Sequence, residues 1–274
     1  MTDFTPAHRG GQGPPLICLH GFTDTWRTWE LVLPRLERHH EVLAPTLPGH
    51  AGGPPLPAEL DDEALVAGVE RAMDEAGWDT AHVVGNSLGG WVALQLAARG
   101  RARSVVALAP AGGWAEGDPM VQERLDYFTS MRQLVRGAAP YADQIASTPE
   151  GRRRATEYIA VNYDHIPAEL VAHQIRGAAG CDGAEALIAR AREAGYPLQS
   201  DRIGCPLRVV WGTEDRLLTW PTAAVRYREF FPDADWVELP EIGHCPQLDV
   251  PAETAELILG FAGAQNATQP MEER

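Results

Sequence analysis

Gly85-Asn86-Ser87-Leu88-Gly89-Gly90 stands between a short apolar run, His82-Val83-Val84, and a stretch of helical character over residues 91–98. A G-x-S-x-G segment that leaves a strand and opens a helix is a nucleophile elbow. The turn is tight enough that side chains at Gly85 and Gly89 would collide across it, and its strained backbone pushes the Ser87 hydroxyl into the open. The helix N-terminus beneath places a partial positive charge where negative charge develops.

The chain around this turn alternates in character. Apolar runs over 16–19, 42–44, 82–85, 105–109, 207–211 and 236–239 read as strands, several of them continuous as in strands buried on both faces. Amphipathic stretches lie between them; Leu65, Val69, Ala72, Met73 and Ala76 recur at helical spacing ahead of Gly77. Alternation of this kind predicts an α/β fold, a mostly parallel central sheet covered by helices on both faces. Residues 114–200 interrupt it. They are rich in Arg and Ala, contain no convincing strand, and suggest helices near 121–136, 149–159 and 184–194. The expected organisation is a core of residues 1–113 and 201–264, a helical cap insertion over 114–200, and a flexible tail over 265–274.

An exposed serine needs a base, and the base needs an orienting acid. His244, in Gly243-His244-Cys245-Pro246, follows the last expected strand and precedes the last helix. Asp215, in Gly212-Thr213-Glu214-Asp215, sits at the C-terminal end of the 207–211 strand, where open α/β sheets keep their sites. Glu214 is its rival, one loop position away. Asp215 is preferred, which gives the order nucleophile, acid, base. After the first buried run comes His20-Gly21-Phe22. The glycine lets the loop turn toward the serine, so the backbone N–H groups of Phe22 and Leu88 are the candidate oxyanion donors. His20 itself reads as structural. Phe22, Trp26, Trp29, Trp91 and Trp114 fall near the expected mouth, and Trp26 and Trp114 are the candidate substrate-pocket residues.

Composition narrows the partners. Net charge is −15 and lysine is absent, which argues against nucleic acid, anionic membrane surfaces and Schiff-base chemistry. No window is apolar enough to span a bilayer, and residues 1–13 lack a signal-peptide pattern, so the expected location is cytoplasmic. The four cysteines form no CxxC pair, and neither a metal nor a cofactor is expected. The expected partner is a small-molecule ester, with the chain a monomer or homodimer.

These four motifs together, spread from about Pro15 to Phe261, resemble the α/β-hydrolase superfamily, in particular serine esterase-like members with a helical cap. The resemblance implies a mostly parallel sheet with the cap between the two halves of the core. It also implies antiparallel opening strands, which must be shortened or missing here because His20-Gly21 lies so near the N-terminus. Relatives with Asp at the elbow are similar to epoxide hydrolases and haloalkane dehalogenases; Ser87 sets this chain apart. The reading is a serine hydrolase acting on carboxylic esters, lactones or thioesters of small, largely apolar acids. Alternatives are a C–C hydrolase of vinylogous diketone acids, a cofactor-free perhydrolase or oxygenase, and a non-catalytic receptor-like protein.

Overall fold

The computed structural model describes residues 4–61 and 63–268. Seven strands form one sheet: β1 (Ala7–Gly10), β2 (Pro15–Leu19), β3 (Glu41–Pro45), β4 (Ala81–Asn86), β5 (Ala102–Leu108), β6 (Leu207–Gly212) and β7 (Asp235–Leu239). Their order is β1-β3-β2-β4-β5-β6-β7, parallel throughout except that β1 runs antiparallel to β3. β1 is the shortened opening strand. It is only four residues long, its side chains alternate between exposed and half-buried, and it covers the edge of β3. The central strand β4 is buried at every position, as a continuous apolar run requires.

Alternate residues of the strands feed two cores. Ile17, Leu19, Val83, Val105, Ala107, Val209 and Trp211 pack on one face; Leu16, Cys18, Val42, Ala44, Val84, Val106, Leu108 and Val210 pack on the other. Helix α1 (Leu33–Leu36) buries Leu33 and Leu36 in the second core. Helices α2 (Ala64–Glu75) and α3 (Leu88–Ala98) supply Leu65, Val69, Val92 and Leu96 to the first.

Between β5 and β6 the chain contains no strand among the described residues. It folds instead as α4 (Met120–Ala138), α5 (Ala142–Ala146), α6 (Pro149–Thr156), α7 (Ala168–Ala179) and α8 (Ala184–Ala194). These helices have a small core of their own, Ala142, Ala146, Ala160, Ile166, Leu170 and Val171, which Cys245 and Leu248 of the sheet domain join. The insertion leaves and returns through a narrow neck: a β-carbon added at Gly112 would lie 2.6 Å from Cβ of Tyr196. Helices α5 and α7 are additions to the sequence reading.

After β6 follow α9 (Val225–Phe230), α10 (Pro246–Asp249) and α11 (Pro251–Thr268), the last placing Ala255, Ile258 and Phe261 in the second core. Residues 265–268 continue α11, where a frayed tail is expected from sequence; the rest of that expected tail, 269–274, lies outside the described residues. No helix among the described residues is long and apolar enough to cross a membrane.

Candidate active site

β4 delivers Ser87 to the top of the sheet with φ 57° and ψ −117°, a left-handed conformation unfavourable for any residue with a side chain. Its surroundings over-determine it. The Ser87 N–H donates to the Leu108 carbonyl (2.9 Å), and its own carbonyl accepts from Trp91 (3.1 Å) and Ala111 (2.9 Å). The flanking glycines are obligatory: a β-carbon at Gly85 would meet the Gly89 carbonyl oxygen at 2.1 Å, and one at Gly89 would meet that of Leu19 at 2.3 Å.

The candidate base and acid, His244 and Asp215, are buried together. His244 Nδ1 lies 2.7 Å from Asp215 Oδ2. Asp215 Oδ1 accepts from the backbone N–H groups of Leu217 (2.8 Å) and Leu218 (2.7 Å), which holds the carboxylate still. A carboxylate in this role only accepts, so the proton sits on Nδ1 and Nε2 is the open ring nitrogen. That Nε2 is buried with no hydrogen-bond partner among the described residues. Glu214, the rival, is exposed.

The oxyanion candidates follow from a buried histidine. His20 Nε2 accepts the Leu47 N–H (2.8 Å), so its proton is on Nδ1, which donates to the Gly21 carbonyl (2.7 Å). Burial holds this ring well below the ordinary histidine range, keeping it neutral. In a trans peptide the C=O and N–H point in opposite directions. With the Gly21 carbonyl turned toward His20, the Phe22 N–H faces away from it. Gly21 itself lies against the serine, since a β-carbon there would sit 3.3 Å from Ser87 Cβ. Leu88 is the first residue of α3, so its N–H has no acceptor within the helix.

Ser87, Phe22, Leu88 and Trp114 line one cavity of about 840 Å³, counting its open mouth. Leu65, Trp91, Leu125, Phe128 and Leu187 give it a predominantly apolar wall, built from the sheet domain below and α4 and α8 above. Trp26 requires correction as a pocket residue. It is not among the residues that line this cavity; its ring stacks on His8 and its Nε1–H donates to Thr5 Oγ1 (2.9 Å). Trp29 is wholly buried in the second core.

Two residues the sequence reading did not single out hold the loops together. Asn86 Nδ2 donates to the carbonyls of Leu108 (3.1 Å) and His244 (3.0 Å), while its Oδ1 accepts from Cys245 Sγ (3.2 Å) and Gln247 Nε2 (3.1 Å). The serine turn and the histidine loop are thus joined through the residue before the serine. Asp249, buried at the end of α10, accepts from the N–H of Gly243 (2.7 Å) and from the cap segment. There its partners are the backbone N–H of Val161 (2.8 Å) and both the N–H (2.7 Å) and the side-chain amide (2.8 Å) of Asn162. The Cys245 N–H adds a bond to the Ile159 carbonyl (2.7 Å), and His165 reaches the Leu248 carbonyl (2.7 Å).

Known proteins agree with this architecture. A chain of 32% identity over 203 residues, covering 74% of this chain and 95% of its own, is the "Epoxide hydrolase EphH" of Mycobacterium tuberculosis. The "2-hydroxymuconate semialdehyde hydrolase" of Pseudomonas sp. strain CF600 is 26% identical over 288 residues, covering 96% of this chain and 92% of its own. Among solved structures, one described as a membrane phospholipase A superposes with a TM-score of 0.74 at 24% identity, over 95% of this chain and 82% of the other. The model of the alpha/beta hydrolase family matches residues 16–257, so the chain belongs to the alpha/beta hydrolase family.

Proposed function

We propose that the protein is a serine hydrolase that cleaves carboxylic esters, lactones or thioesters of small, largely apolar acids. The observation that carries this reading is Ser87 on its strained turn, joined through Asn86 to a buried Asp215–His244 pair whose Nε2 has no hydrogen-bond partner among the described residues. In this reading Ser87 Oγ attacks the acyl carbon while its proton passes to His244 Nε2. The carbonyl oxygen becomes an oxyanion that accepts from the N–H groups of Phe22 and Leu88. Collapse expels the alcohol, which takes the proton from His244 and leaves the acyl group on Ser87. Water, deprotonated by the same nitrogen, then releases the acid and restores the serine. No metal or cofactor takes part in this scheme, and neither nucleic acid nor membrane is a partner; the partner is the small-molecule ester.

The name of the M. tuberculosis relative raises epoxide opening. Chemistry at position 87 argues against it. A serine that opened an epoxide would form an ether, with no carbonyl through which water could release the product. The second reading is C–C bond hydrolysis of a vinylogous diketone acid. It is favoured by the relative named for 2-hydroxymuconate semialdehyde, which matches over nearly its whole length.

The test is a fluorophosphonate probe with mapping of the modified residue, followed by turnover of p-nitrophenyl esters and of a dienone acid. Labelling at Ser87 is expected, with Ser87→Ala lowering ester hydrolysis by about 10³-fold or more. Cleavage of the dienone acid far faster than any ester would replace the first reading by the second.

A further inference from the structure

Two residues on the wall of the cavity above Ser87 carry donors that have no acceptor among the described residues. Arg124, on α4, is half-buried and lines this cavity; its Nε is buried without a partner, and among the described residues the guanidinium makes neither a hydrogen bond nor an ion pair. Trp114, at the root of the insertion, lines the same cavity, is 5% exposed, and its Nε1–H is likewise buried and unpartnered. The other arginine on the wall, Arg190, is held by Glu193 at 3.0 Å. Asp61 lines the mouth, but its Oδ1 accepts the N–H of Glu63 (3.0 Å), and it forms no pair with Arg124.

A buried donor left unpaired costs about 1–3 kcal/mol, and more when it carries charge. The apolar wall around these donors supplies nothing to offset that. A guanidinium presents a planar fork of N–H groups that matches a carboxylate, and an indole N–H adds a neutral donor. A neutral apolar acyl chain would leave both unsatisfied. A chain ending in a carboxylate would satisfy both while its methylenes cover the apolar wall.

Resting on the serine-hydrolase reading, we propose that the preferred substrates are esters whose acyl chain carries a distal carboxylate, half-esters of dicarboxylic acids. Arg124 binds that carboxylate and Trp114 adds a donor. Arg124 acts on binding and takes no part in the bond changes at Ser87, so its contribution falls on KM.

The experiment compares p-nitrophenyl half-esters of succinate through suberate with neutral p-nitrophenyl esters of matching length, in wild type, Arg124→Gln, Arg124→Lys and Trp114→Phe. Wild type is expected to favour at least one half-ester over its neutral counterpart by about tenfold or more in kcat/KM. Arg124→Gln should lower that preference ratio at least tenfold through KM, Arg124→Lys should restore part of it, and Trp114→Phe should lower it severalfold. A wild type that turns over neutral esters without favouring any half-ester overturns the proposal and leaves the serine-hydrolase reading intact. So does an Arg124→Gln variant with an unaltered ratio.

A second measurement is independent of turnover. Monomethyl adipate is titrated into Ser87→Ala and into Ser87→Ala with Arg124→Gln, followed by tryptophan fluorescence. At least tenfold weaker binding in the double variant is expected; equal binding overturns the proposal even if no ester is hydrolysed. Circular dichroism of each variant confirms that it is folded.

Discussion

Cys245 carries a reactive group beside the candidate base. It follows His244 directly, yet its thiol donates to Asn86 Oδ1 at 3.2 Å, and burial among Asp24, Asp215 and Asp249 pushes its ionisation well up. Cys245→Ser leaves a hydroxyl able to make the same bond, so activity within about tenfold of wild type is expected in an ester assay. A loss beyond about 100-fold in a folded variant, about 2.7 kcal/mol, would give the thiol a direct role. Single residues were legible from sequence to the extent that their chemistry is local. Ser87 announces itself because the glycines it needs are its neighbours. Asp215 over Glu214 is a matter of which carboxylate the loop buries, and the sequence favoured the buried one without showing its two backbone donors. Trp26 misled because nearness to the His20-Gly21 loop in sequence is not nearness to the cavity. Asn86 lies inside the motif that was read, but its partners His244, Cys245 and Gln247 are brought to it only by folding.

At the level of elements, the histidine loop is not supported by the sheet alone. Asp249 fastens it to residues 161 and 162, and on the other side of the site α7 is fastened to the loop after Phe22. There His173 Nε2 meets Thr25 Oγ1 at 2.9 Å and Gln174 donates to Asp24 at 3.3 Å. Both sides of the candidate site therefore lean on the insertion. Asp249→Asn removes a charge from a site whose partners all donate and turns an NH₂ group toward some of those N–H groups. The expected cost is about 2–4 kcal/mol in urea unfolding, with kcat for ester hydrolysis falling roughly tenfold as His244 loses its fixed position. Unchanged stability and kcat would show that the clasp is dispensable. Strands β2 to β7 and helices α2, α3, α4 and α8 were legible because apolar period and length mark them; α7, although twelve residues long, was not. β1 was not, since Ala7-His8-Arg9-Gly10 has no apolar face and pairs only as an edge. α5 has too few residues for any period to show.

Over the whole molecule, buried titratable groups set the response to acid. His20, His50 and His173 are held below the ordinary 6.5, the last two at about 4, chiefly by burial; His40 is lowered in the same sense. Between pH 6.5 and about 4.5 the unfolded chain protonates these rings while the folded chain does not, so unfolding takes up protons and stability falls with pH. Asp24 works the other way. Burial raises its carboxyl to about 6, so it is protonated in the folded chain over a range where the unfolded chain is ionised, and unfolding releases that proton. The net expectation is uptake of about two protons on unfolding, read as the slope of unfolding free energy against pH in urea titrations from pH 6.5 to 4.5. A flat or reversed slope would refute the assignment.

The neck at Gly112 and Tyr196 has a consequence for how such a protein diverges. Because the insertion departs and returns at adjoining points, what lies between can be lengthened, shortened or grafted from a cousin while the strands keep their register. Doubling such an excursion costs only about 0.6 kcal/mol in closure entropy. An exchanged segment has to bring N–H groups for Asp249, a carbonyl for the Cys245 N–H, and partners for Thr25 and Asp24 on the opposite side. Lineages that inherit the same serine turn are thereby free to acquire new appetites one graft at a time.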